Sequence, residues 1–284
     1  MTRGFSFLFY LLLLVGCMCP QFAAGQTAAP DAPPREEPGP LIDSSHCRTI
    51  MAADPRGAAL SALCEFALAY RRQLPDFICG QTTTSHLPRG KIASEAQVRF
   101  ENGHEHYSHV TVQGESKDGV GTVVGFQSSG ELGTTLVDLF MPPVVAEFQF
   151  HKDGELRGIP SSEYEFRVAA EKNTFWRVRD GRGTVVVPEY KGQIWLARPK
   201  GTILRIKLHP VHLPSNFEFD SIDMTVDYGA TTIADAGVFL LPNSSETTVC
   251  RGRGYLPFCL THTLAFHDCK KFGAKSRILD SPEP

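Results

Sequence analysis

Imidazoles crowd one stretch of the chain, with His104, His106 and His109 in HEHYSH. Strand alternation would put His104 and His106 on one face and His109 on the other. Two imidazoles on one face are half of a structural zinc site, which takes four ligands. No third ligand has suitable spacing, so a solvent-facing strand is expected and no metal site is assigned. His209 and His212 in HPVHLP, and His262 with His267 near the C-terminus, lack the His-x-Glu or Cys-x-x-Cys company of a metal motif. For nucleophilic catalysis the chain offers no Gly-x-Ser-x-Gly. Ser128-Ser129-Gly130 reads instead as a helix-start loop with a capping hydroxyl. Glu163 and Glu165 share a strand face and should be solvated. Gly119-x-Gly121-x-x-x-Gly125 lacks the dinucleotide spacing. No acid and base sit in visibly divergent environments, so the expectation is no catalytic residue and no cofactor.

Cysteine is the residue type with the clearest chemistry. Cys47, Cys64, Cys79, Cys250, Cys259 and Cys269 form an even set suited to three bridges in an oxidising compartment. Cys250 and Cys259 enclose RGRGYLPF, a short loop with two glycines and a proline that closes readily, so this pair is favoured. The other four allow three connectivities, and the sequence does not choose among them. Asn243-Ser244-Ser245 has the pattern of a glycosylation acceptor, meaningful only in a eukaryotic secretory context.

The compartment follows from the first 25 residues. Arg3, an apolar run from Phe5 to Val15 and the exit Ala23-Ala24-Gly25 have the parts of a secretory signal. The run is too short to cross roughly 30 Å of hydrocarbon. Leu14-Val15-Gly16-Cys17 also matches a bacterial lipobox, which would shorten the signal to residues 1–16 and acylate Cys17. Cleavage after Gly25 leaves the six cysteines even, whereas cleavage before Cys17 leaves Cys19 as an odd thiol. The expected location is exported: periplasmic, or anchored at the outer membrane of a Gram-negative-type bacterium, with a membrane contact only through that acyl group. Residues 26–45 hold five prolines and cannot bury enough apolar area to offset their conformational entropy, so a disordered tether is expected.

Residues 46–280 read as a single β-rich domain, followed by a tail at 281–284. With 28 Lys and Arg against 31 Asp and Glu, the chain has no electrostatic footprint for nucleic acid. Asp54 as N-cap, Pro55 at the first turn and Pro75 as a stop predict a helix to about Leu74, with Ala59, Leu63, Phe66 and Tyr70 as its buried stripe. From Phe77 the period changes to two. Tyr164, Phe166 and Val168, then Leu204, Ile206 and Leu208, alternate with charged residues as one-face-wet antiparallel strands. Turns are expected at Asn102-Gly103, Asp153-Gly154, Asp180-Gly181, Lys191-Gly192 and Lys200-Gly201, the last three as a meander of hairpins. A strand from Phe217 to Tyr228 slips phase and predicts a β-bulge or bend near Ser221. A second helix between Glu131 and Met141, stopped by Pro142-Pro143, presents Leu132, Leu136, Leu139 and Phe140 and would cover the concave side of a curved sheet. The glycine-rich run before it, from Asp118 to Gly130, reads as a loop.

ALAYRRQLPDFICGQTTTS after the first helix, the ELGTTLVDLF helix and the closing FHDCKKFGAKSRI resemble a group of uncharacterised exported bacterial proteins whose plan is similar to the LolA-like lipoprotein-carrier superfamily. The resemblance implies a mainly β (α+β) fold, a curved antiparallel sheet or incomplete barrel with an N-terminal helix and a short helix over the concave face. It implies a non-enzymatic cell-envelope protein that binds an apolar ligand, a lipid or an acylated protein; the apolar face of the second helix makes Leu136 and Phe140 the candidates for lining such a cavity. No functional motif of the carriers can be matched residue by residue. The rival expectation is an interaction or scaffold module of the envelope with a filled core, and a hydrolase-type enzyme comes third.

Overall fold

The computed structural model describes residues 47–48, 56–87, 90–101, 104–116, 126–127, 134–140, 146–173, 176–252 and 258–272. The expected signal, Cys17, the 26–45 tether and the 281–284 tail lie outside them.

Helix α1 spans Ala58–Gln73, an Ala- and Leu-rich run with no β-branched residue to oppose it. It starts three residues later than Pro55, with Gly57 as N-cap and no side-chain cap bond. Asp54 and Pro55 lie outside the described residues. Its C-terminus closes as expected, where the Leu74 amide donates to Tyr70 O before Pro75. Leu60, Leu63, Cys64, Ala67, Leu68 and Tyr70 are buried, while Ala59 and Phe66 are only partly so. The buried stripe is wider than the one predicted because α1 packs on helix α2 (Thr134–Phe140) as well as on the sheet. Helix α2 lies within the expected Glu131–Met141 range, and Leu132 lies outside the described residues.

Eleven strands form one open, curved antiparallel sheet. In chain order they are β1 (Phe77–Leu87), β2 (Gly90–Glu101), β3 (His104–Val112) and β4 (Glu115–Ser116), then β6 (Glu147–Leu156), β7 (Ile159–Val168), β10 (Tyr190–Ala197), β11 (Thr202–Pro210), β12 (Ser221–Ile233), β13 (Gly237–Arg251) and β14 (Phe258–Lys271). The spatial order is β4-β3-β2-β1-β14-β13-β12-β11-β10-β7-β6. A small sheet of β5 (Phe126–Gln127), β8 (Val178–Asp180) and β9 (Val185–Val186) stands apart. Thus Phe126 and Gln127, within the expected glycine-rich loop, pair with β8.

The turn signals divide by what each glycine does. Lys200-Gly201 joins β10 to β11, with Gly201 at φ +70°, and Asp180-Gly181 turns out of β8. Asp153-Gly154 and Lys191-Gly192 lie inside β6 and β10 instead. The β6–β7 turn falls on Arg157-Gly158, and Asn102-Gly103 lies outside the described residues. Gly192 is a packing glycine: a Cβ there would sit 2.8 Å from the Phe166 ring and closer still to the backbone of Lys207. Its missing side chain lets the neighbouring strand's aromatic ring lie across β10.

Tyr164, Phe166 and Val168 point into the core as their alternation predicts. On β11, Ile206 and Leu208 do so as well, but a bulge opposite Trp195/Leu196 substitutes Ile203 for Leu204 at the third position. The slip in the Phe217–Tyr228 pattern coincides with a bend: the chain bends at Phe217, Glu218 and Asp220, just before Ser221. Strand β12 begins only at Ser221, and Phe217 and Phe219 are buried from the irregular segment before it. The bulge in β12 lies at Asp227/Tyr228. There Asp227 turns to Arg205, bound by Nε at 2.7 Å and Nη2 at 3.0 Å, and to Arg157. Beyond the bulge the β12–β13 hairpin leaves its neighbour, since β13 pairs with β14 only from Ser244 onward. Its tip brings Ile233 and Leu241 onto Tyr70, Phe77, Cys79 and Cys269, a second core beside the main one.

Candidate functional site

Two places merit comparison: the sheet interior beneath α2 and an open cleft beside the disulfide-closed ends of β13 and β14. Leu136 and Phe140 come together in the interior, each at 0% exposure. Phe140 stacks on Phe148 at 5.0 Å, Phe148 meets Phe166 at 6.0 Å, and Phe166 meets Tyr190 at 6.3 Å, which in turn packs on Trp176 at 5.4 Å. This ladder of rings runs from α2 across β6, β7 and β10. Asn173 fixes its far end, donating Nδ2 to Trp176 O and Pro188 O and accepting from the Trp176 amide.

The cleft is a shallow, open depression of about 670 Å³. Three separate segments build it. The turn after β8 supplies Arg182, the irregular run before β12 supplies Ser215, Phe217, Glu218 and Asp220, and β13 and β14 supply Arg251, Gly252 and Phe258. The charged groups are each anchored. Arg182 donates Nη2 to Asn216 O at 2.7 Å and reaches Asp180 at 3.4 Å. Arg251 pairs with Glu218 at 3.1 Å and lies over the Phe258 ring, 5.2 Å from its centroid. The Gly252 amide donates to Asp220 at 2.7 Å. Behind the cleft, the fully buried carboxylate of Asp180 accepts from the amides of Arg182, Thr184 and Glu218 at 2.8–3.0 Å. Burial alone would raise its pKa, but these backbone donors outweigh burial and hold it below the ordinary carboxylate value.

The cysteines pair as Cys47–Cys64, Cys79–Cys269 and Cys250–Cys259. The first ties the segment before α1 to the helix and the second ties β1 to β14. The third joins directly opposed residues of β13 and β14 beside the cleft.

His106 and His109 are exposed on β3, and the side chain of His104 lies outside the described residues. Among the described residues no group of three or more His, Cys, Asp or Glu side chains converges. Glu165 is half exposed near His151, while Glu163 is mostly covered and pairs with Lys152 at 3.6 Å. Ser128-Ser129-Gly130 lies outside the described residues.

Two arrangements escaped the sequence because their members come from opposite ends of the chain. Ser85 Oγ and His262 Nδ1, opposed across β1 and β14, lie 2.8 Å apart. That is the spacing of a nucleophile and its base, but Ser85 is 1% exposed and no substrate reaches it. On the solvent side, His267 Nε2 lies 3.2 Å from Thr82 Oγ1 and Nδ1 lies 2.7 Å from Asp268. The His267 ring rests on Gly80, where a Cβ would approach it to 2.4 Å. Asp268 is 90% exposed, so water screens the charge that a catalytic triad keeps buried.

His262 gives the sheet a pH dependence. Burial, helped by nearby His86, lowers its pKa below the ordinary imidazole value. Burial also lowers His209, with Lys191 and Lys207 adding to it against Asp223. A histidine whose folded pKa lies below its unfolded one contributes full stability above about pH 6.5, and that stability is lost as the pH falls through the folded value. The urea midpoint should therefore drop between about pH 7.5 and about pH 5, and His262→Asn should flatten part of that drop. An identical pH profile in the variant would remove His262 as its source.

No protein-family model matches the chain, and no curated protein sequence does. Among solved structures, a DUF1329 family protein from Desulfovibrio piger is similar at 9% identity and a TM-score of 0.41, covering 78% of this chain and 95% of that one. MucB in complex with MucA(peri) aligns over 76% of this chain and 99% of its own at 12% identity and a TM-score of 0.20. The Pseudomonas aeruginosa MucA/MucB complex does so over 76% and 98% at 11% identity and a TM-score of 0.18.

Proposed function

We propose that the chain is an exported, non-enzymatic interaction module of the cell envelope whose sheet interior is filled by its own side chains. The observation that carries this reading is the packing of Leu136 and Phe140, the residues expected to line a ligand cavity, at 0% exposure against the aromatic ladder. An apolar ligand seated there would need α2 to lift away and uncover Leu136, Val137, Leu139 and Phe140. Export is supported by the signal-like N-terminal sequence and by three disulfides, which persist in oxidising compartments.

Native mass spectrometry of protein purified from the envelope fraction tests the proposal, with the bare polypeptide mass as the expected result. Leu136→Ala should then cost about 2–5 kcal/mol, as in other packed cores, read from urea denaturation. A co-purifying lipid on most molecules, together with a stability loss well under about 2 kcal/mol, would overturn the filled interior and restore the apolar-ligand carrier.

A further inference from the structure

We propose that the open cleft beside the Cys250–Cys259 disulfide binds a neutral oligosaccharide. This goes beyond the filled-interior reading, because the cleft lining shares only Phe217 with the main core and no ring of the aromatic ladder.

Charge balance narrows the ligand class. Arg182 and Arg251 are offset by Glu218 and Asp220 in the same lining. An anion would meet the two carboxylates and a cation the two guanidiniums. A sugar hydroxyl donates and accepts at once, so a wall that alternates donors with acceptors suits it.

Orientation supports the same class. Arg182 is held by Asn216 O and Asp180, Arg251 by Glu218, and Asp220 by the Gly252 amide. Planar groups fixed in this way lose little freedom when a ligand binds. Both arginine side chains stay more than half exposed, at 59% and 53%. The exposed Ser215 adds a hydroxyl. Phe258, 37% exposed, is covered on one side by Arg251, and its uncovered part offers the apolar surface on which the C–H face of a pyranose ring can lie. The cleft is open, as entry of a linear chain requires, and among the described residues its lining holds no histidine to act as acid or base.

The test is saturation-transfer NMR and calorimetric titration of the full mature protein with maltotriose, cellotriose and N,N′,N″-triacetylchitotriose, each up to about 10 mM, far above the working range of a specific site. At least one trisaccharide should bind. Phe258→Ala and Arg251→Ala should each weaken it by about tenfold or more. Ser215→Trp, at an exposed position outside the core, should abolish binding while leaving the thermal midpoint in place, which separates blockage from misfolding. Three outcomes overturn the proposal: no transfer to any of the three sugars, binding unchanged in Ser215→Trp, or binding only of an acidic or basic hexapeptide run in parallel. None of these bears on the filled interior. Conversely, a lipid adduct in the mass spectrum would leave the cleft untouched.

Discussion

Removing the Cys79–Cys269 bridge, with both residues changed to Ala, should lower the unfolding free energy by about 5 kcal/mol. The bridge closes a loop of 190 residues, and the entropy taken from the unfolded chain grows with the logarithm of loop length. The same relation gives about 3 kcal/mol for Cys47–Cys64 at a separation of 17, and slightly less for Cys250–Cys259 at 9. A second effect acts in the same direction. Both sulfurs lie in the second core against Tyr70, Phe77 and Leu241, so truncation to Ala also leaves a void there. Urea denaturation of the three oxidised double variants supplies the ranking. If the Cys79/Cys269 variant lost no more than the Cys250/Cys259 variant, long-loop closure would not be what this bridge contributes.

Asp180→Ala should cost about 4 kcal/mol, the second large effect. Three backbone amides point at one carboxylate that has no solvent exposure, and each buried donor left without an acceptor costs about 1–3 kcal/mol. The turn after β8 can relax toward water, which keeps the sum below the upper limit. Asp180→Asn retains one acceptor oxygen and should lose about half as much. The lowered carboxyl pKa makes this term pH-dependent. It is present above the unfolded value near 3.9 and is lost as the pH falls through the folded one. Comparing the acid limbs of wild type and Asp180→Asn checks the sign, since only the wild type should show the additional loss. Because Asp180 also backs Arg182, the substitution should loosen the cleft before it disturbs the aromatic ladder beneath α2.

What could be read in advance was whatever depends on neighbours in sequence. The period-two pattern of Tyr164, Phe166 and Val168 specified a half-buried strand, and the Ala- and Leu-rich run before Pro75 specified α1. Gly192 misled because a glycine that makes room for Phe166 looks, in one dimension, the same as a glycine that turns the chain. Leu204 misled because a bulge can exchange one apolar residue for the next without any change in composition. The cleft lay out of reach for a stronger reason. Arg182, Glu218 and Arg251 meet only after the strand order is known, and nothing local to any of them announces a site. A partial signal was present in the Cys250–Cys259 loop, whose closure marks the ends of β13 and β14 as a rigid rim.

The place of β14 in the sheet has a consequence in time as well as in space. Its two neighbours are β13, made just before it, and β1, made first. As the chain emerges, the β1–β4 meander can form its own hairpins, but its inner edge has nothing to join until Phe258–Lys271 has appeared. A strand edge left waiting in this way is open to pairing with another chain. Threonine and serine supply four of the six residues of β1 from Gln81 to His86, and such a polar stretch is a poor seed for that kind of pairing. Strand β14 therefore joins the two parts of the sheet, and removing it by truncation should leave two unjoined halves.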